Sequence, residues 1–149
     1  MLREKYAYLW DRLFHHPFVA GIGNGQLPLD KFQFYVKQDY FFLIQYSRVL
    51  ALAVAKAPDL ENIGRFSDLL SETLNTEMSL HRAFCLEFGI SSSELKNTRP
   101  APFTQAYTDY LLRVAYEGTI TGVVATLLPC QWGSSETGHY LSRTADTSE

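Results

Sequence analysis

The feature that most constrains the fold is a long helical periodicity that ends at Pro58. Large side chains recur before this proline at steps of three and four residues, which is the period of one face of an α-helix. The stripe consists of Phe32, Tyr35, Val36, Asp39, Leu43, Tyr46, Leu50 and Ala53. We expect one helix from about residue 29 or 30 to residue 57, with this stripe facing the core.

The rest of the chain has the same helical period, and no segment shows the alternation that is typical of a strand. We expect further helices over about 2–14, 59–88, 103–117 and from 119 to 132 or beyond, with a short helical turn opened by a capping box at 91–94, a glycine loop at 21–25 and an extended link at 99–102. The polar residues 144–149 are expected to fray. The predicted fold class is therefore all-α, a multi-helix bundle.

Length, charge and cysteine usage exclude several classes of protein. The chain has 149 residues, which fits a single domain over 1–149, and its net charge of −3 argues against a nucleic-acid partner. No apolar run reaches the roughly 18 residues of a membrane span. Cys85 and Cys130 are unclustered, and the N-terminus does not resemble a secretory signal, so we expect a reducing, cytoplasmic setting.

Asp39 is a carboxylate in the middle of the predicted core stripe. Burying a carboxylate costs several kcal/mol unless it is paired or hydrogen-bonded. One interpretation is a structural pairing with a buried donor. The other is a ligand site, because Tyr35, Phe42 and Tyr46 share its helix face and would suit a flat, protonatable heterocycle. The sequence leaves both interpretations open.

Cys130 follows Pro129 in an apolar helical segment. A proline inside a helix frees a carbonyl, here that of Ala125, and the resulting kink could border a pocket. A cysteine there could be a nucleophile, but buried cysteines are more often inert core residues. We assign Cys85 to the core.

Two histidine-containing pairs could suggest metal or haem ligands. Glu77 and His81 are four residues apart, whereas a di-iron bundle needs the Glu-x-x-His spacing on several helices, so a buried structural pair is expected. His15 and His16 precede Pro17 and are expected to mark a helix end.

Several segments, in order along nearly the whole chain, resemble the TenA / thiaminase II family. They are His16-Pro17-Phe18-Val19-x-Gly21-Ile22-Gly23-x-Gly25-x-Leu27-Pro28, Phe34-Tyr35-Val36-x-Gln38-Asp39, Glu77-Met78-x-Leu80-His81-Arg82-x-Phe84, Tyr107-Thr108 and Leu127-Leu128-Pro129-Cys130-x-Trp132. The resemblance implies a haem-oxygenase-like helical bundle, usually a homotetramer, with no metal, haem or nucleotide cofactor.

The resemblance also implies an activity. The family hydrolyses an aminomethyl-methylpyrimidine to the hydroxymethyl compound in thiamin salvage, and can cleave thiamin. By position, Cys130 resembles the nucleophile that adds to the pyrimidine ring. Asp39 resembles the acid that binds the ring nitrogen and exocyclic amine, and Tyr107 resembles a pocket tyrosine. The implied partner is a small pyrimidine.

This sequence departs from the family pattern at several positions. Phe42 stands where the family has a pocket tyrosine, and Ser134 replaces a second tyrosine. The chain is also C-terminally short against the family, and the family's proposed proton-donating glutamate has no counterpart, a role that Glu136 does not match. Two alternatives therefore stay open beside the hydrolase, namely a non-catalytic pyrimidine-binding protein and a structural, oligomerising helical protein.

Overall fold

The structure, a computed structural model, describes residues 2–144, apart from the side chain of Leu2. Within this range every regular element is helical, so the all-α prediction is confirmed. The helices are α1 (Leu2–Lys5), α2 (Ala7–Phe14), α3 (Pro17–Gly23), α4 (Leu29–Lys56), α5 (Leu60–Glu72), α6 (Met78–Glu87), α7 (Ser92–Lys96), α8 (Pro102–Glu117) and α9 (Ile120–Thr144), with a π-helical turn (Thr73–Glu77) between α5 and α6.

The helix expected over 2–14 is broken at Tyr6. This residue has φ −113° and ψ 25°, outside the helical region, and it separates α1 from α2. Neither glycine nor proline marks the position, so the helical period gave no sign of the break.

The prediction of a glycine loop over 21–25 is wrong for most of that range, because α3 extends as far as Gly23. His16 caps this helix, its Nδ1 accepting a hydrogen bond from the Phe18 N–H at 3.2 Å, and Pro17 takes the first helical position. The chain turns only at Gly25, whose φ of +68° lies in the left-handed region.

Close packing explains one of these glycines. A Cβ added at Gly23 would lie 2.9 Å from Cδ2 of Leu141. The missing side chain therefore serves a close approach between α3 and α9 rather than a flexible loop.

The third predicted helix forms as α5, the π-helical turn and α6 in succession. Its expected cap is confirmed, since the Asn62 N–H donates to Oδ1 of Asp59 at 2.8 Å. Its expected end is also confirmed, because Gly89 adopts φ +73° and the Ile90 N–H bonds back to the Cys85 carbonyl at 2.7 Å. The π-helical turn was not predicted.

The remaining helix boundaries agree with the sequence. The capping box of Ser91 and Glu94 is present, and α8 begins with Pro102 at its first position and ends before Gly118. Helix α9 continues through Pro129 to Thr144. Fraying was predicted from residue 144, but Thr144 is still helical. The predicted fraying of residues 145–149 lies outside the described residues.

The chain divides into two compact units, of which the larger comprises residues 32–128. Its main core, here called the apolar cluster, joins α4, α8 and α9. The buried members are Tyr46, Val49, Leu50, Ala53, Leu111, Ala115, Val123 and Leu127. A second core cluster joins the start of α4 to α6 and α7 through Val36, Cys85, Ile90 and Leu95.

Among the described residues, the smaller unit comprises 2–31 together with 129–144. Aromatic rings hold it together, with Trp10 edge-on to Trp132 at 4.9 Å and Phe14 stacked on Tyr140 at 4.7 Å. Arg3 forms an ion pair with Glu136 at 2.7 Å. The expectation of a single domain over 1–149 stays a prediction.

Candidate functional site

Asp39 lies on α4 between two buried residues of the predicted stripe, Val36 and Leu43. Its side chain is 31% exposed, so it is half-buried at the edge of the core rather than enclosed in it. The stripe prediction holds for most members, but Tyr35 is exposed. Asp39 is thus held by a rigid helix and still accessible.

His81 on α6 faces the carboxyl group of Asp39. Its Nε2 lies 3.4 Å from Oδ2 of Asp39, and its side chain is only 10% exposed. Its other ring nitrogen, Nδ1, lies 3.6 Å from Sγ of Cys85. The Tyr40 ring covers the imidazole at a centroid distance of 5.8 Å. We call Asp39, His81 and Cys85 the polar array.

The expected buried pair of Glu77 and His81 is wrong. Glu77 is exposed at the end of the π-helical turn, while the His81 imidazole faces Asp39. Partial desolvation and then the negative charge of Asp39 raise the pKa of Glu77. A spacing of four residues places two side chains on the same side of a helix, but it does not determine how deeply each is buried or which neighbouring helix supplies the partner.

Cys85 is enclosed, with 1% of its surface exposed, which confirms its assignment to the core. Burial, followed by the charge of Asp39, raises the pKa of its thiol. The thiol therefore stays protonated at neutral pH and is a poor nucleophile.

Three aromatic rings stack beside the polar array. Phe42, one helical turn after Asp39, lies parallel to Tyr107 of α8 at 5.9 Å, with 7° between the planes. Phe42 also stacks on the buried Tyr46 at 5.6 Å. Tyr107 is 38% exposed, so the stacked rings include one in the core and one at the surface. The structure thus brings together Asp39, Phe42 and Tyr107 within one unit.

Cys130 lies on α9 and is partly exposed, and neither cysteine forms a disulfide. It follows Val123 and Leu127, two buried members of the apolar cluster, at steps of seven and three residues, so it continues their helix face. It belongs to the smaller unit, which begins in α9 at Pro129. Its predicted role as nucleophile stays a prediction.

The adjacent residues His15 and His16 have a structural role, as expected. His15 ends α2, its Nδ1 lying 2.9 Å from the Asp11 carbonyl, and His16 caps α3. Over residues 2–144, no group of three or more histidine, cysteine or acidic side chains could hold a metal ion.

The sequence did not reveal the contact between Asp39 and His81, which are far apart along the chain. A signal did exist, because His81 and Cys85 share one face of α6 at a spacing of four residues. What was missing is the register of α6 against α4, which the π-helical turn sets.

None of the helices described between residues 2 and 144 is long and apolar enough to cross a bilayer.

Fold and site together define an all-helical protein with a half-buried carboxylate next to stacked aromatic rings. The sequence profile of the TENA/THI-4/PQQC family matches residues 3–148, and the chain belongs to this family. It is similar to the aminopyrimidine aminohydrolase of Halalkalibacterium halodurans, with 48% identity over 92% of this chain and 61% of that protein. The aminopyrimidine aminohydrolase of Helicobacter pylori is 41% identical over 88% of this chain and 60% of its own length.

A solved structure agrees with this placement. A TenA homologue protein from P. horikoshii OT3 superposes with a TM-score of 0.89 at 31% identity, over 96% of this chain and 67% of that one. The chain spans about three fifths of the length of the two curated relatives.

Proposed function

We propose that this chain carries the pyrimidine-binding part of an aminopyrimidine aminohydrolase of the thiaminase II type. The reaction replaces the amine of an aminomethyl-methylpyrimidine by a hydroxyl group and releases ammonia. The observation that carries the proposal is the similarity to the Halalkalibacterium halodurans enzyme over 92% of the chain. The half-exposed carboxylate beside stacked rings supports it independently.

Asp39 is the proposed recognition group for the pyrimidine. An ionised carboxylate accepts hydrogen bonds from a protonated ring nitrogen and the neighbouring exocyclic amine at once. This interaction favours the protonated ring, which is the more electrophilic form. Phe42 and Tyr107 present flat apolar faces, against which an aromatic heterocycle stacks favourably.

Cys130 is the proposed nucleophile, an assignment that rests on the family resemblance. Its thiolate adds to a ring carbon beside the one that bears the aminomethyl arm, and the displaced ring electrons expel ammonia from the arm. Water then adds to the exocyclic methylene, loses a proton, and the thiolate leaves as the ring regains aromaticity. Substrate and water thus become alcohol and ammonia, with the cysteine regenerated.

The test is hydrolysis of 4-amino-5-aminomethyl-2-methylpyrimidine by this chain beside its Cys130→Ser and Asp39→Asn variants. We expect Cys130→Ser to abolish detectable turnover and still bind the pyrimidine. We expect Asp39→Asn to lower kcat/KM by about 100-fold, equivalent to about 2.7 kcal/mol. Unchanged turnover in Cys130→Ser would refute the assignment of the nucleophile.

A non-catalytic pyrimidine-binding protein is the second candidate. It is favoured by Phe42, which keeps the stacking contact with Tyr107 and has no hydroxyl group to offer a substrate. This candidate predicts that the pyrimidine raises the melting temperature while no alcohol forms. Product formation by the parent chain would exclude it.

We further propose a cytoplasmic homo-oligomer, a tetramer by family resemblance. Phe103 and Tyr116 are 91% and 69% exposed in the single chain, which is compatible with burial against other copies. Light scattering of the purified chain measures its mass in solution, and a monomer would contradict this proposal.

A further inference from the structure

We propose that His81 is a positioning residue, which fixes the orientation of the Asp39 carboxylate through Nε2 while Cys85 holds its Nδ1. The inference rests on the proposed function in one respect, namely that Asp39 binds the pyrimidine. The arrangement of the polar array itself is independent of any ligand.

The first observation is an unsatisfied nitrogen. Nε2 of His81 is buried and makes no hydrogen bond in the part of the chain that the structure describes. Buried polar atoms without a partner are rare and unfavourable. This one faces Oδ2 of Asp39 at 3.4 Å, just beyond hydrogen-bond distance. Hydrogen bonds in functional sites are often long before a ligand binds and shorten in the complex.

The second observation is the contact on the other side of the ring. Sγ of Cys85 lies 3.6 Å from Nδ1 of His81, and burial keeps this thiol protonated. A thiol that donates to Nδ1 leaves the ring proton on Nε2, where it points at Asp39. Such support from a second layer of residues is a common way to orient a functional side chain.

The side chains packed around the imidazole restrict its orientation. The ring is nine-tenths buried, and Tyr40 packs against it at 5.8 Å. The π-helical turn directly before α6 sets the face on which His81 and Cys85 lie, and such turns often occur at functional sites. With Oδ2 facing His81, the other oxygen of Asp39 is available to a ligand.

Two substitutions separate positioning from packing. In His81→Gln the side-chain amide nitrogen can take the place of Nε2, whereas in His81→Asn it corresponds to Nδ1 and falls short of Asp39. We expect His81→Asn to raise the KM and the dissociation constant for 4-amino-5-aminomethyl-2-methylpyrimidine by about tenfold. In His81→Gln both values should stay within about threefold of the parent.

Melting temperatures of both variants control for lost packing. A larger KM in His81→Asn than in His81→Gln at similar melting temperatures supports positioning. Equal effects of the two variants on KM, whether large or absent, would overturn the inference.

A ligand-free measurement keeps the inference testable if the pyrimidine does not bind. Nitrogen-15 spectra of histidine-labelled protein report which ring nitrogen carries the proton. The inference requires the proton on Nε2 of neutral His81, with a shift toward the Nδ1-protonated form in Cys85→Ala. A proton on Nδ1 in the parent would refute it. A parent that neither binds nor hydrolyses the pyrimidine, yet shows the expected tautomer, would refute the proposed function alone.

Discussion

Two stretches of the same helix, α4, differ sharply in what surrounds them. From Tyr46 to Ala53 the inward face is enclosed by apolar side chains of α8 and α9, and Val49 and Leu50 have no exposed surface. About two turns earlier, Asp39 faces an imidazole and remains one-third exposed. The later stretch excludes water and stabilises the fold. The earlier stretch buries less surface and keeps the carboxyl group of Asp39 accessible. A single helix therefore serves stability at one position and, in the proposed function, recognition at another.

Leu50→Ala should have the largest effect on stability. It removes a fully buried side chain from the apolar cluster and leaves a cavity, so we expect the free energy of unfolding to fall by about 2–5 kcal/mol. Leu60→Ala makes the same chemical change at a position that is 83% exposed, and should alter stability by less than about 0.5 kcal/mol. Urea denaturation measures both. A similar loss in the two variants would mean that burial in the apolar cluster does not determine stability.

The two thiols should differ in reactivity. Cys85 is sealed within the polar array and has a raised pKa, whereas Cys130 is partly exposed. We expect iodoacetamide to modify Cys130 in the native protein and to reach Cys85 only as the structure opens. Mass spectrometry of the timed reaction shows the order. Fast modification of Cys85 in the Cys130→Ser variant would show that the polar array is open to solvent.

Gly118→Ala should disturb the end of α8, where Lys56 of α4 donates to the Gly118 carbonyl at 2.6 Å. The new Cβ would lie 2.6 Å from the Val114 carbonyl oxygen, so the backbone must shift, and we expect a loss of about 1–3 kcal/mol. Gly122→Ala is the matched control, because its Cβ would meet Val114 at an ordinary 3.6 Å. If thermal melts of the two variants agree, the close approach has no energetic consequence.

Asp59→Asn should have the smallest effect, and only on the pH dependence of stability. The Asn62 N–H lowers the pKa of Asp59 below its unfolded value of 3.8. Stabilisation is therefore present above that value and is lost as the pH falls through the lower, folded pKa. Asparagine caps a helix equally well without titrating. We expect the variant to lose less stability than the parent between about pH 5 and about pH 3 in urea melts. Identical pH profiles would contradict this.

The two stretches of α4 also differ in how much of their surroundings the sequence could predict. The enclosed stretch follows from the spacing of Tyr46, Leu50 and Ala53 alone, since periodicity records which face is buried. Asp39 stood out because a carboxylate breaks that pattern. Its partner could not be deduced, because His81 reaches it through the register between two helices, and local spacing paired His81 with Glu77 instead.

The sequence was also limited at positions outside α4. The glycines at 21–25 suggested a loop, but glycine also permits close packing, and the contact of Gly23 with Leu141 depends on a residue far along the chain. The roles of Cys130 and Tyr107 in a reaction came from family resemblance, because nothing in the spacing of a single cysteine or tyrosine defines chemistry.

The π-helical turn gives the polar array a sensitivity to chain length as well as to composition. Each residue of an α-helix advances the next by about 100° around its axis. The π-helical turn takes up one residue more than an α-helical turn, so deleting one of its residues, for example Asn75, would restore regular α-helix and leave His81 and Cys85 facing Asp39. Inserting a residue into the α-helical segment before His81 would instead rotate His81 and Cys85 relative to Asp39 by roughly that angle. A helix lengthened in this way could keep its melting temperature yet lose the protection of Cys85 from iodoacetamide. Insertions in this segment, rather than substitutions, would then be the changes that most readily separate folding from recognition.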